Sequence, residues 1–302
     1  MHHGTQKRSL PLATIVNTRG GTIRGYHDYH QSWPVLHPRK HRRRARASHS
    51  AGCAPCPFTE RFFRDAGVGP GQRVLDIGSG VGDVAMLAAK LVGPSGEVVG
   101  VERDASTIAR ARVRVAEAAL RNVSFTQSDV SQIPGNKLFD AVVGRLILQF
   151  LPDPVAVVRS LFRLIRPGGV LAFQEVSWAP FLLLGAQLPL WSACSSLSHE
   201  AFRRSGANTD MGFALYQTFR DAGLPAPAMS LEMPIGRDQE ITGWIPDILR
   251  SLLPLIHQFN LPLEPVGDLN TLAERIHAEV AASNSVVTWL ALVGAWSHKP
   301  AA

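Results

Sequence analysis

VLDIGSGVGD, residues 74–83, joins the end of a short apolar run to an acid, Asp76, and to glycines at Gly78, Gly80 and Gly82. Glycines allow a tight turn that passes close to a ligand, and a helix opening near Val81 directs backbone N–H groups toward that ligand. A dinucleotide fingerprint needs its third glycine at position 83, which is Asp, and the stretch lacks a P-loop lysine. The spacing therefore disfavours an NAD-dependent oxidoreductase.

The sequence around this loop alternates short apolar runs with helix-length amphipathic stretches, beginning with a helix at PFTERFFRDAG. Such alternation is typical of parallel strands joined by helical crossovers. It predicts strands at 73–77, 97–102, 123–127, 139–144 and 170–176, and helices at 81–91, 105–120 and 154–165. Pro167-Gly168-Gly169 is predicted to form a turn before the fifth strand.

The second half of the chain predicts a helix at MGFALYQTFRDAG and two further strands, near 228–234 and 286–296. About 50 residues between those strands have helical apolar spacing, in ITGWIPDILRSLLPLIHQF and LNTLAERIHAEVAA. Large insertions near strand C-termini often build lids. We therefore expect the helices between 239 and 282 to close over a substrate.

Two more acids follow predicted strands. Glu102 ends the second strand, and Asp129 follows the third. The C-terminal ends of parallel strands meet at one edge of a sheet, where Asp76, Glu102 and Asp129 can share a ligand.

Together with the glycine loop, the strands FDAVVGR and GGVLAFQE and the Pro-Gly-Gly before the latter, these acids resemble the class I methyltransferase family. The resemblance covers Phe58 to about Trp296. It implies an α/β fold with a doubly wound, seven-stranded mixed sheet and an inserted helical cap. It divides the chain into a domain at 58–302, with a cofactor half at 58–176 and cap helices at about 177–210 and 239–282.

The resemblance also implies S-adenosylmethionine as the cofactor. Asp76 would bind the amino end of the cofactor, and Glu102 would accept hydrogen bonds from both ribose hydroxyls. Asp129 and the Val130 backbone would contact the adenine. The implied cofactor-binding residues are Asp76, Gly78, Ser79, Gly80, Gly82, Glu102, Arg103, Asp129, Val130 and Arg145. The expected activity is methyl transfer to a small-molecule acceptor.

Methyl transfer from a sulfonium is an in-line displacement, so alignment and desolvation can suffice without an obligatory catalytic side chain. Arg145 could clamp an acidic substrate or pair with a cap carboxylate, Glu175 could act as a base, and His199 is a third catalytic candidate. Further side chains that could touch the acceptor are Gln149, Trp178, Glu200, Tyr216 and His257. No metal site is predicted.

Positive charge is concentrated at the N-terminus, where residues 1–56 hold ten Lys or Arg against one acid. That segment carries a net charge of +9. Because the whole chain has a net charge of +7, the remaining residues together carry −2. A solvated, disordered tail at 1–57 is expected, with an RNA-modifying methyltransferase that uses this basic arm as the alternative. No secretory signal or membrane span is predicted, because Pro180 and Pro189 interrupt the longest uncharged stretch, so a cytoplasmic location is expected.

Overall fold

A computed structural model of the chain describes residues 56–130, 132–133 and 138–301. Predictions for the basic N-terminal segment therefore lie outside the described residues, apart from 56 and 57. The strands are β1 Arg73–Ile77, β2 Glu97–Glu102, β3 Val123–Gln127, β4 Phe139–Arg145, β5 Ile165–Ser177, β6 Ala228–Glu232, β7 Ile235–Gly236, β8 Val287–Thr288 and β9 Ala291–His298. The helices are α1 Cys56–Asp65, α2 Asp83–Val92, α3 Ala105–Glu117, α4 Pro154–Arg163, α5 Ala179–Leu184, α6 Pro189–Arg204, α7 Met211–Asp221, α8 Gln239–Ser251, α9 Leu253–Gln258 and α10 Leu272–Ala282.

Seven strands form one mixed sheet in the order β3-β2-β1-β4-β5-β9-β6. The pairs among β1 to β5 are parallel, whereas β9 runs antiparallel to both β5 and β6. Strands β7 and β8 form a separate two-stranded ladder. The seven-stranded mixed sheet expected from the resemblance is confirmed.

Helices cover both faces of the sheet because alternate side chains of each strand point to opposite sides. Val74 packs with α1, α2 and α3, whereas Leu75 and Ile77 pack with α4 and α7. Polar side chains fix the helix starts: Asp104 accepts the Thr107 N–H at 2.6 Å before α3. This arrangement is the doubly wound fold, in which ligands bind at the carboxyl ends of the strands.

A third apolar core lies among α5, α6, α8, α9 and α10. Trp178, Trp191, Phe181 and Trp244 form its centre, and the Phe181 and Trp244 rings lie 5.1 Å apart. Residues that follow β4, such as Phe150, pack against this core. We call these five helices the helical layer. No helix in the described part of the chain has the length and apolar character that crossing a bilayer requires.

Several predicted boundaries were wrong: α3 and α4 end at Glu117 and Arg163 instead of 120 and 165, and three further differences have a physical reason. Helix α2 begins at Asp83, not near Val81, because Gly82 occupies the N-cap position with φ of +89°. The last strand begins at Ala291, not at 286, because Val287–Thr288 pairs with β7 instead.

The third correction concerns Pro167-Gly168-Gly169, which interrupts β5 instead of preceding it. Ile165 already pairs with Phe139 of β4, and the register then shifts before Val170 pairs with Ala141. The extra residues are held by the chain end, since Gly168 N–H donates to the Lys299 carbonyl at 2.9 Å. The predicted turn is thus a bulge within the strand.

Candidate active site at the carboxyl edge of the sheet

The glycine loop between β1 and α2 lies at the carboxyl edge of the sheet. Gly78 has φ of +65°, and a Cβ added there would lie 2.6 Å from Cδ1 of Ile147, which follows β4. The Ser79 N–H donates to the carbonyl of Val101 in β2 at 2.9 Å. The loop is therefore tied to β2 and packed closely against the chain after β4.

Asp76 is a buried acid directly below this loop. It is 1% exposed, and neither of its carboxylate oxygens meets the geometry of a hydrogen bond within the described residues. The hydroxyl of Ser79 is likewise buried and unpartnered there. Burial raises the pKa of Asp76 well above its usual range, and the charge of Arg145 opposes that shift. Buried polar groups without partners cost free energy, so these groups fit a ligand that carries an amino group.

Glu102 ends β2 and joins the loop to the start of α3. Its Oε2 accepts the Gly80 N–H at 3.1 Å, while its Oε1 accepts the N–H groups of Arg103 at 2.7 Å and Asp104 at 3.1 Å. These bonds fix the carboxylate plane. A carboxylate has about four lone-pair sites in all, so one site, on Oε2, remains for a hydroxyl group of a ligand.

The ends of β2 and β3 also lie together. The Ser128 N–H donates to the Glu102 carbonyl at 3.1 Å, and Arg103 lies 3.7 Å from the Asp129 carboxylate. Val130 is half-buried and packs against the core beneath α4 and α7. The three acids expected at one edge are thus all at that edge.

Arg145 ends β4 on the same side of the sheet as Asp76. Its Nη1 donates to Oγ1 of Thr59 at 3.3 Å, and that hydroxyl donates to Oε1 of Gln174 at 2.7 Å. No carboxylate of the described residues lies within 4.0 Å of the guanidinium. Burial lowers the pKa of Arg145, while the charges of Asp83 and Asp76 raise it. The pairing with a cap carboxylate that sequence left open is not found within the described residues.

Thr59 and Gln174 were missed by sequence reasoning. Both side chains are buried, at 0% and 1% exposure. One signal was available, because Gln174 is a polar residue in a strand whose preceding residues are apolar and buried.

Glu175 is fully buried at the end of β5 and faces the opposite side of the sheet from Gln174. Its Oε1 accepts the N–H groups of Ile147 at 2.9 Å and Leu148 at 2.8 Å, whereas Oε2 has no hydrogen-bond partner among the described residues. Burial raises the pKa of Glu175 to about 7. These contacts hold the residue that packs against Gly78, and the role of Glu175 as a base stays a prediction.

His199 lies in α6 of the helical layer. Its Nε2 is 3.0 Å from Oγ1 of Thr209, and its ring packs 5.6 Å from that of Trp178. Glu200 turns away and pairs with Arg203 and Arg204. The catalytic role of His199 stays a prediction. Gln149 and Trp178 are buried, and Tyr216 and His257 are exposed.

A groove of about 570 Å³ opens where β6 and β7 meet the start of α1 and α8. Its apolar lining includes Phe58, Met233, Ile241 and Trp289. Its carboxylates are Glu232, Asp238 and Glu240, of which Glu232 pairs with Arg61 and Asp238 caps α8. Phe58 is followed in α1 by Thr59, so one helix turn reaches both the groove and Arg145. Within the described residues, no group of three or more His, Cys, Asp or Glu side chains could hold a metal ion.

A comparison with protein-family models matches residues 69–223, about half of the chain, to a methyltransferase domain. The chain belongs to the class I methyltransferase family. The expected family is therefore confirmed, and the matched segment contains the glycine loop and all three acids at the sheet edge.

Curated relatives match the same region. The chain is 36% identical over 118 residues to an arsenite methyltransferase of Halobacterium salinarum, which covers 38% of this chain and 30% of that protein. It is 36% identical over 115 residues to a ubiquinone/menaquinone biosynthesis C-methyltransferase of Coxiella burnetii, covering 36% and 46% respectively. The match spans less than half of either relative. A solved structure of a candidate methyltransferase from Bacillus halodurans shares the fold, with a TM-score of 0.54, 17% identity, and 80% and 97% coverage.

Proposed function

We propose that this protein transfers a methyl group from S-adenosylmethionine to a small-molecule acceptor. The observation that carries the proposal is the unpartnered Asp76 carboxylate beneath the glycine loop of a family member. A buried carboxylate whose oxygens have no hydrogen bond of good geometry within the described residues is costly, and a cofactor with an ammonium group relieves that cost. Ser79, whose hydroxyl is also unpartnered, lies in the same loop.

In this proposal the glycine loop borders the methionine part of the cofactor, and Gly78 must lack a side chain there. Glu102 receives the ribose hydroxyls: three backbone N–H groups hold its carboxylate in place, one acceptor site is open for the first hydroxyl, and the second takes the place of one of these bonds. Asp129 and the Val130 backbone meet the adenine. Arg103 pairs with Asp129 and so steadies that side of the site.

The bound cofactor supplies a methyl group activated by a positive sulfur. The chain contributes alignment and exclusion of water, which together can lower a barrier by several kcal/mol without proton transfer. We therefore assign Glu175 to positioning the chain after β4.

The acceptor is proposed to bind in the groove beside α1. Aromatic and aliphatic side chains favour a ligand with an apolar body, and the surrounding carboxylates disfavour an anion. Arsenite is the less favoured acceptor. Its As(III) centre is soft, and a protein site for it is expected to use cysteine thiolates. Cys194 is buried in the helical layer, and burial raises its pKa to about 12. The side chains of the remaining cysteines lie outside the described residues.

The test is product formation by the full chain. The protein is incubated with S-adenosylmethionine and a panel of neutral phenols, quinols and amines, or with arsenite, and S-adenosylhomocysteine is measured by mass spectrometry. We expect product with an apolar acceptor, and a Trp289→Ala variant that needs more acceptor but binds the cofactor normally. Product with arsenite alone would contradict the acceptor class, and failure of the chain to bind the cofactor would contradict the activity.

A further inference from the structure

Strand β6 forms one edge of the seven-stranded sheet. It is the last strand in the sheet order and pairs with β9 on its inner side. The register with β9 runs without a bulge from Ala228 to Glu232. On the outer side of these residues, no backbone hydrogen bond is found within the described part of the chain. Alternate N–H and C=O groups of β6 therefore point outward and can pair with another strand.

Two side chains of β6 add an apolar strip to this edge. Met229 and Leu231 lie opposite core residues of β9, so both point to the sheet face that α7 covers. Helix α7 packs over β5 and β9 and leaves these two side chains 39% and 55% exposed. Gly212 of α7 lies against β9, and Tyr216, one turn further on the same side of that helix, is also exposed. The outer edge is therefore both unpaired and apolar.

The opposite edge of the sheet, strand β3, is different. Its exposed side chains are polar: Ser124, Thr126 and Gln127. Arg112 of α3 also donates to the Phe125 carbonyl of β3 at 3.2 Å. Natural sheets block unwanted pairing with lysine, proline, bulges or inward-pointing charges. Residues 228–232 contain neither lysine nor proline, so β6 lacks the devices that would keep a second strand away.

The sequence of β6 fits a second copy of itself. In an antiparallel pair centred on Ser230, Met229 lies opposite the partner's Leu231, so apolar side chains meet apolar side chains. Glu232 and the partner's Glu232 lie at opposite ends of this pair. Each of them keeps the ion pair with Arg61 of its own chain. The join therefore leaves no charge unpaired and places no like charges side by side.

We propose that two copies of this chain associate through β6, with antiparallel pairing that continues the sheet from one copy into the other. The ladder is short, because Pro227 and Pro234 flank the strand and proline lacks the N–H that a ladder needs. So small a contact lies below the about 800 Å² per partner of a standard interface, and we expect a dissociation constant in the micromolar range. The proposal stands independently of the acceptor and of methyl transfer.

The experiment measures self-association of the full-length chain by sedimentation velocity from about 1 to 200 µM protein. Leu231→Lys places a charge at the proposed join. Leu183→Lys is the matched control, because Leu183 of α5 is a leucine that is 76% exposed on a different element. Hydrogen–deuterium exchange of residues 228–232 is followed at the lowest and highest concentrations. Thermal melts confirm that each variant is folded, and Met229→Lys takes the place of Leu231→Lys if the latter is not.

We expect the parent and Leu183→Lys to pass from monomer to dimer over this range. Leu231→Lys should need about tenfold more protein or fail to dimerise, because a lysine at the join would lose its hydration. The outward-pointing amides of β6 should exchange more slowly in the dimer, since they enter the new ladder.

Three results would overturn the proposal. The first is a parent that stays monomeric at the highest concentration. The second is a dimer that Leu231→Lys forms as readily as the parent, or whose outward-pointing β6 amides exchange at the monomer rate, because its interface then lies elsewhere. The third is strong protection of those amides at the lowest concentration, which would mean that another segment of the same chain covers the edge.

Discussion

Glu175 is a buried carboxyl group that holds the segment after β4 in place through hydrogen bonds from the Ile147 and Leu148 N–H groups. Its pKa of about 7 lies above the ordinary value of 4.5, so the folded chain binds a proton more tightly than the unfolded chain. Its contribution to the free energy of unfolding is therefore present below about pH 4.5 and is lost as the pH rises through about 7.

Replacing Glu175 with glutamine should remove this pH dependence. The difference in free energy of unfolding, variant minus parent, should rise from pH 5 to pH 8, with a slope of at most about 1.4 kcal/mol per pH unit. Urea unfolding at several pH values measures it, and exposed Glu240→Gln is the control. A difference that stays constant with pH would show that Glu175 does not titrate in this range.

Gly78 is constrained in two ways, by backbone conformation and by space. Gly78→Ala should lower stability by about 1 to 2 kcal/mol for the left-handed backbone and should also weaken cofactor binding, because its Cβ would displace Ile147. Gly223→Ala is the control, since Gly223 also has a positive φ, of +83°, but no atom within 4 Å of an added Cβ. Both variants should lose stability, and only Gly78→Ala should lose cofactor affinity in calorimetry. Equal cofactor affinities of the two variants would show that the glycine loop does not contact the cofactor.

At the scale of elements, the helical layer has a core of its own beside the sheet. Ile245 of α8 is fully buried there, so Ile245→Ala should cost about 2 to 5 kcal/mol of unfolding free energy. Exposed Arg250→Ala on the same helix should change it by less than about 0.5 kcal/mol. Guanidinium unfolding followed by tryptophan fluorescence measures both. A loss below about 1 kcal/mol for Ile245→Ala would mean that this layer packs loosely.

Periodicity predicted the parallel strands well because each is an apolar run between turn residues, as in β1 and β2. It failed where tertiary pairing decides the boundary. Ile165 belongs to β5 because it pairs with Phe139 of β4. Val287 lies outside the last strand because it pairs with Gly236 of β7 instead. The acids Asp76, Glu102 and Asp129 were foreseeable from their places after strands. Thr59 was not, because its contact with Gln174 spans 115 residues.

At the scale of the whole molecule, charge is divided between the N-terminal segment and the methyltransferase domain. The ten Lys and Arg of residues 1–56 all lie within residues 7–46. Removing residues 1–46 should abolish any salt-dependent RNA binding and leave cofactor affinity unchanged, because the described site begins at α1. RNA titrations at two salt concentrations, compared with calorimetry on the same proteins, measure the two effects. RNA affinity retained by the truncated chain would contradict this expectation and would rule out an RNA-modifying enzyme that depends on the basic arm.

The central claim is that the carboxyl edge of β1 and β2 binds S-adenosylmethionine. Calorimetric titration of the parent and Glu102→Ala with that cofactor tests it most directly. We predict one site per chain in the parent and a loss of about 1.5 to 3 kcal/mol of binding free energy in Glu102→Ala, because a charge-assisted acceptor is removed. No binding by the parent, or equal binding by Glu102→Ala, would contradict the claim.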